Sequence, residues 1–186
     1  VTYIDDAGFP LYYAFTMHDV LFVSLDNTTL GGLSRQQKKW LDKILNHPAS
    51  HKVVYGHIPL FPFAEGREKE SLMDYELENI LIKHGVDLFL SGHHHAYYPG
   101  YYNTIRYVSV PCLGAGARFL KGSEERSDKG LVHIKIQNGT ILVEGKSAHK
   151  RFSIIPKSTL PSFIEYEDIL IWRDDLFMEV LTEKRD

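Results

Sequence analysis

Two short apolar runs in this chain stop at the same dipeptide. Val53-Val54-Tyr55 runs into Gly56-His57-Ile58-Pro59, and Leu88-Phe89-Leu90 runs into Ser91-Gly92-His93-His94-His95. Short β-branched and apolar runs broken by glycine read as strands with their exit turns. Val20-Leu21-Phe22-Val23-Ser24-Leu25-Asp26 is a third such strand, apolar enough to be buried on both faces. Helical patterns separate the three. Ser34-Arg35-Gln36-Gln37 has the form of a capping box, and Trp40, Leu41, Ile44 and Leu45 then share one stripe up to Pro48. Ser71, with Asp74 three residues on, is expected to cap a second helix, with Leu72, Leu77, Ile80 and Leu81 on its apolar face and Gly85 at its end. Strand, helix, strand, helix, strand is the order of an α/β layered sheet with crossover helices.

The flanking segments extend this pattern. Leu11–Thr16 reads as a short aromatic strand, joined to Val20 by a hairpin turn at His18-Asp19. Ile105–Val110 is a strand, and residues 113–117 form a small-residue turn. Residues 131–137 and 140–144 flank Asn138-Gly139, a strong hairpin signal, so these strands should be antiparallel. After a break at residues 158–161, the apolar spacing of Ile169, Leu170, Trp172, Leu176, Phe177 and Leu181 predicts a last amphipathic helix over residues 168–182.

Composition removes several classes of function. With 186 residues, 44% hydrophobic and 24% charged, the chain can bury one core and is not disordered. A net charge of −3 provides no basic footprint for nucleic acid. No apolar run approaches the ~20 residues of a membrane-spanning helix. A single cysteine, Cys112, excludes an intrachain disulfide. The first residues carry neither an initiator Met nor a signal-peptide pattern, so the chain is expected to begin inside a longer product.

Ligands of open α/β sheets sit beyond the carboxyl ends of the strands, so the two Gly-His ends should meet at one edge. If the backbone stays extended after Gly92, His93 and His95 face one side and His94 the other. Neutral imidazole is a common ligand for Zn, Fe and Mn, and three convergent rings form a metal half-site. His57, His93 and His95 are therefore the candidate metal ligands. His94 and Tyr97 are candidates to line the pocket, and no catalytic residue is assigned. His18, His47, His51, His84, His133 and His149 fall in turns, helix ends or an exposed strand face and are read as structural. Asn27-Thr28-Thr29 and Asn138-Gly139-Thr140 fit the glycosylation triplet, a pattern frequent by chance.

Gly56-His57-Ile58-Pro59 and Gly92-His93-His94-His95 resemble the last two motifs of the metallophosphoesterase, or calcineurin-like phosphoesterase, superfamily. Tyr12–Phe15, Phe22–Asp26, Gln37–Leu45 and Gly85–Tyr97 are similar in order and spacing to its purple acid phosphatase branch. The resemblance covers about residues 11–146. It implies the C-terminal portion of a β-sandwich flanked by helices, with mixed sheets: residues 1–150 belong to that domain, and residues 151–186 form an extension bearing the amphipathic helix. It also implies a centre of two divalent or trivalent ions (Fe, Mn or Zn) that hydrolyses a phosphoester, His57 and His93 binding the second ion and His95 the first. The acid-phosphatase likeness leans toward a secreted or periplasmic setting.

The family's earlier motifs, Asp-x-His, Gly-Asp-x-x-Asp and Gly-Asn-His, are missing. No Gly-Asp or Gly-Asn dipeptide occurs in the chain. The expected partner is thus an N-terminal half of the same protein that supplies the carboxylates. Where the acid-phosphatase pattern continues with Glu-Arg, Tyr98-Pro99 stands here, and no histidine follows Pro59 in the next loop, so the proton donor is unassigned. Two other readings stand beside the phosphoesterase: a non-catalytic binding or assembly module of the same ancestry, and a mononuclear three-histidine hydrolase.

Overall fold

Alternate residues of the central strands feed two different cores. Leu21, Val23, Val54, Phe89 and Tyr107 pack with Leu41, Ile44, Leu45, Leu77 and Leu81 of the helices. Val20, Val53, Leu88 and Val108, one residue out of step, pack with Ile141, Val143 and Ile155 instead. A near-continuous apolar run is what such a doubly covered strand requires. The computed structural model describes residues 1–137 and 139–176, without the side chains of residues 6 and 7.

In chain order the elements are β1 (Thr2–Gly8), β2 (Tyr12–Met17), β3 (Val20–Ser24), α1 (Arg35–Ile44), β4 (His51–Gly56), α2 (Tyr75–Lys83), β5 (Leu88–Ser91), β6 (Tyr98–Tyr102), β7 (Ile105–Ser109), β8 (Gly130–Gln137), β9 (Thr140–Ser147), β10 (Ser153–Ile154), β11 (Phe163–Tyr166) and β12 (Ile169–Arg173). Nine strands form one mixed sheet in the order β1-β2-β3-β4-β5-β7-β6-β12-β11, and β10-β9-β8 form a second sheet. Strands β3, β4, β5 and β7 are parallel neighbours. The helices cover one face of the large sheet, and the small sheet packs on part of the other. This is the helix-flanked mixed-sheet α/β architecture expected from the sequence.

Local chemistry sets the boundaries. Ser34 Oγ accepts from Gln37 N at 3.2 Å and opens α1. The Gln37 side chain does not reach back to complete the box. It exchanges two 2.8 Å bonds with the Asp26 backbone and ties α1 to the end of β3. The second helix is capped by Asp74, whose Oδ1 accepts from Leu77 N at 3.0 Å, and not by Ser71, whose hydroxyl turns to Glu68 O. Gly85, at φ +60°, ends α2 as expected. The β8–β9 hairpin forms in the predicted register, with Gln137 opposite Thr140.

The predicted last helix is corrected over residues 169–173, while residues 174–176 are helical as expected. Residues 169–173 form β12, paired with β11 and, at Trp172 and Arg173, with β6. Ile169, Ile171 and Arg173 are buried while Trp172 is exposed, a period of two that the apolar Leu170 obscured. Residues 177–182 of that prediction lie outside the described residues. Strands β1, β6, β10 and β11 were not foreseen.

Asn27, just past β3, governs the exit of β4. It is 2% exposed, and its Nδ2 donates to Ile58 O at 2.7 Å while its Oδ1 accepts from His57 N. A side chain at position 56 would collide with this amide, which is why β4 ends in glycine. Buried and bonded through both amide atoms, Asn27 is not available as a glycan acceptor. Asn27→Ala leaves His57 N and Ile58 O without their partner. We expect a loss of about 1–3 kcal/mol in urea denaturation; an unchanged midpoint would show that the amide does not hold this turn.

Candidate functional site

Parallel pairing brings the two Gly-His turns together. Gly56 lies opposite Ser91, and Gly92 N donates to His57 O at 2.9 Å. His57 and His93 therefore project side by side beyond the sheet. Their ring centroids are 5.0 Å apart, and His93 Nδ1 lies 3.1 Å from His57 Nε2. The other nitrogen of His93, Nε2, lies 2.8 Å from Glu70 Oε2. Burial, and then the neighbouring His93 and His95 rings, hold the His57 pKa below the usual histidine range, which favours the neutral ring.

His95 is held separately. Its Nδ1 sits 3.2 Å from Gly116 O, in the turn at residues 114–117, and its carbonyl accepts from Arg118 N. The structure thus joins two of the three candidate ligands directly and places the third close enough to influence His57 electrostatically. Among the described residues, no three His, Cys, Asp or Glu side chains are gathered so as to hold a metal ion.

The histidines are not sorted by an extended backbone. His93 and His95 both have positive φ, 60° and 52°, so the chain coils tightly after Gly92. Such conformations cost roughly 1–3 kcal/mol each in a non-glycine residue and cluster at functional sites. His94 still turns inward, completely buried. Its Nδ1 accepts from Phe63 N at 3.0 Å, and its Nε2 donates to Glu70 O at 3.1 Å. A backbone N–H can only donate and a carbonyl only accept, so both partners require the neutral ring with its proton on Nε2. His94 anchors the loop after β4 and does not line the site. Tyr97 is also buried, in the second core, and borders a cavity of about 430 Å³ that none of the candidate ligands lines.

Glu70 and Asn27 escaped the sequence reading. Glu70 stands among four acidic and basic neighbours in a loop that reads as a solvated surface. It ends a short 3-10 turn, Glu68–Glu70, that lies against the histidine turn. Arg67 pairs with it; burial opposes its ionisation, but Arg67 and His93 outweigh that and hold its pKa below the usual carboxylate range.

Residues 3–97 match the family model for calcineurin-like phosphoesterases, and the chain belongs to that family. No curated protein matches the chain in sequence. Among solved structures, it is similar to purple acid phosphatase PPD1 from yellow lupin (Lupinus luteus) seeds, with a TM-score of 0.60 at 18% identity over 77% of this chain and 31% of the lupin protein. It is also similar to GAP50, the anchor in the inner membrane complex of Plasmodium, with a TM-score of 0.58 at 20% identity over 78% of this chain and 51% of that one. PhoD is a third fold neighbour, with a TM-score of 0.50 at 12% identity, 74% of this chain and 38% of PhoD being covered. The chain therefore spans about half the length of the Plasmodium protein and about a third of the lupin enzyme. At these identities the structures establish shared fold, and family membership establishes phosphoester-hydrolase ancestry.

The His94 environment fixes a pH dependence. Burial above all pushes its pKa down from 6.5 to about 4. Below pH 6.5 the unfolded chain takes up a proton that the folded chain refuses, so stability falls as pH drops toward 4, by about 3 kcal/mol in all, and this contribution is flat above neutrality. Nitrogen-15 NMR at pH 5.5 should find the His94 ring neutral with its proton on Nε2. An imidazolium at that pH would contradict the assignment.

Proposed function

We propose that this chain supplies the histidine half of a metal-dependent phosphoesterase centre. The 3.1 Å gap between His57 Nε2 and His93 Nδ1 carries this reading. Two metal–nitrogen bonds of 2.0–2.1 Å hold their donors about 3.3 Å apart at a tetrahedral angle and about 2.9 Å apart at a right angle. The observed spacing falls between these limits, and the neutral state favoured at His57 leaves a lone pair for a cation. His57 and His93 would hold one ion and His95, facing the 114–117 turn, the other. When bound, the ions would supply Lewis acidity toward a phosphate oxygen and lower the pKa of water.

The remaining ligands belong to polypeptide outside these residues. Three imidazoles bring no negative charge to offset two cations, and Glu70, the carboxylate beside them, meets His93 on Nε2, away from the Nδ1 that faces His57. The greater length of the fold neighbours leaves room for such a segment. The substrate is a phosphoester. The same resemblance supports an extension from residue 151 and a secreted or periplasmic setting.

One observation favours a second reading. Among the described residues no three-ligand cluster is gathered, which suits a binding or assembly module that keeps the fold without the chemistry, and one fold neighbour is named as an anchor. A mononuclear three-histidine site fits less well, because His95 is bonded away from the other pair.

Metal analysis and nitrophenyl-phosphate turnover of the full gene product separate these readings. We expect bound Zn, Fe or Mn and turnover that falls at least about 100-fold in His57→Ala and His93→Ala, more than the 10- to 100-fold typical of groups that merely support ligands. Turnover by residues 1–186 alone would favour the mononuclear hydrolase. Neither metal nor turnover in the full product would establish the assembly module.

A further inference from the structure

We propose that Glu70 is a positioning residue for His93, whose tautomer it fixes so that the Nδ1 lone pair faces His57. The proposal rests on the metal reading only for the purpose of that lone pair. The contact itself stands on geometry.

A carboxylate can only accept at this contact. With Glu70 Oε2 at 2.8 Å, the single proton of a neutral His93 ring is drawn to Nε2, and Nδ1 is left bare. Nδ1 is the atom 3.1 Å from His57 Nε2. In the absence of an ion, a proton on His57 Nε2 fills that gap. With a cation there instead, His57 would carry its proton on Nδ1 and turn its Nε2 lone pair to the same gap. His93 needs no rearrangement, because Glu70 already holds it in the ligating form. The lever is general: a carboxylate on the far nitrogen orients a ligand ring and raises its basicity.

Glu70 is itself held from several directions. Arg67 pairs with the same carboxylate oxygen that faces His93. Its carbonyl accepts from His94 Nε2. The loop beyond it is fastened under the end of β4 by Leu72 N to Pro59 O at 2.9 Å and Met73 N to Leu60 O at 3.0 Å. The His94 bond uses the Glu70 main chain, so it survives replacement of the side chain and reports on whether the turn is intact.

The test compares Glu70→Ala and Glu70→Gln with the unaltered full gene product, by Zn²⁺ calorimetry and by NMR of the ring N–H protons. Glu68→Ala serves as control, since Glu68 lies in the same turn but pairs with Lys121 at 3.1 Å. We expect a protected His93 Nε2–H signal that Glu70→Ala abolishes while the His94 signal stays. Zn²⁺ affinity should fall about 10- to 100-fold in Glu70→Ala, by less in Glu70→Gln, which keeps an acceptor, and not at all in Glu68→Ala. A His93 signal that persists in Glu70→Ala, or Zn²⁺ affinity within twofold of the unaltered protein, overturns the proposal. If the unaltered protein binds none of Zn²⁺, Fe and Mn, the metal reading fails, and the His93 signal alone decides the role of Glu70.

Discussion

The site depends on the pairing of two parallel strands, β4 and β5, in one register. Gly56 opposite Ser91, closed by Gly92 N to His57 O at 2.9 Å, makes the two exit turns adjacent. A slip of one residue would turn every side chain of one strand to the opposite face. Leu88 and Phe89 would then exchange cores, and His93 would lose His57. Burial on both faces thus acts as the register lock: the helices claim Val54 and Phe89, and the small sheet claims Val53 and Leu88. Everything beyond the strand ends inherits that precision.

Much of this was legible in the sequence. Strands buried on both faces, the capped helix after Ser34, the hairpin before Val20 and the Gly-His ends follow from local patterns that the tertiary structure only reinforces. Legibility fails where two periods coincide or where a contact spans the chain. Ile169–Arg173 satisfies both a helical and an alternating pattern, and pairing with β6, about seventy residues earlier, decides for strand. The segregation of His94 from His93 and His95 was foreseen, but for the wrong geometric reason: a left-handed coil does the sorting, and no local residue preference announces it. Asn27 and Glu70 were invisible because their partners lie thirty and twenty-three residues away.

Strain and support are balanced at the turn itself. Two histidines with positive φ are costly on their own. They persist because His94 between them is fully buried and bonded on both nitrogens, and because the loop after β4 is tied down on either side. The structural histidine pins the backbone, which frees its two neighbours to face the sheet edge. The chain belongs to the calcineurin-like phosphoesterase family, and its fold neighbours share the architecture that forms this edge.

Anomalous diffraction at the zinc edge, from crystals of the full gene product grown with Zn²⁺, tests the central assignment most directly. The account predicts a peak about 2.0–2.1 Å from both His57 Nε2 and His93 Nδ1. A zinc peak bound elsewhere, or none between these two rings, would contradict it.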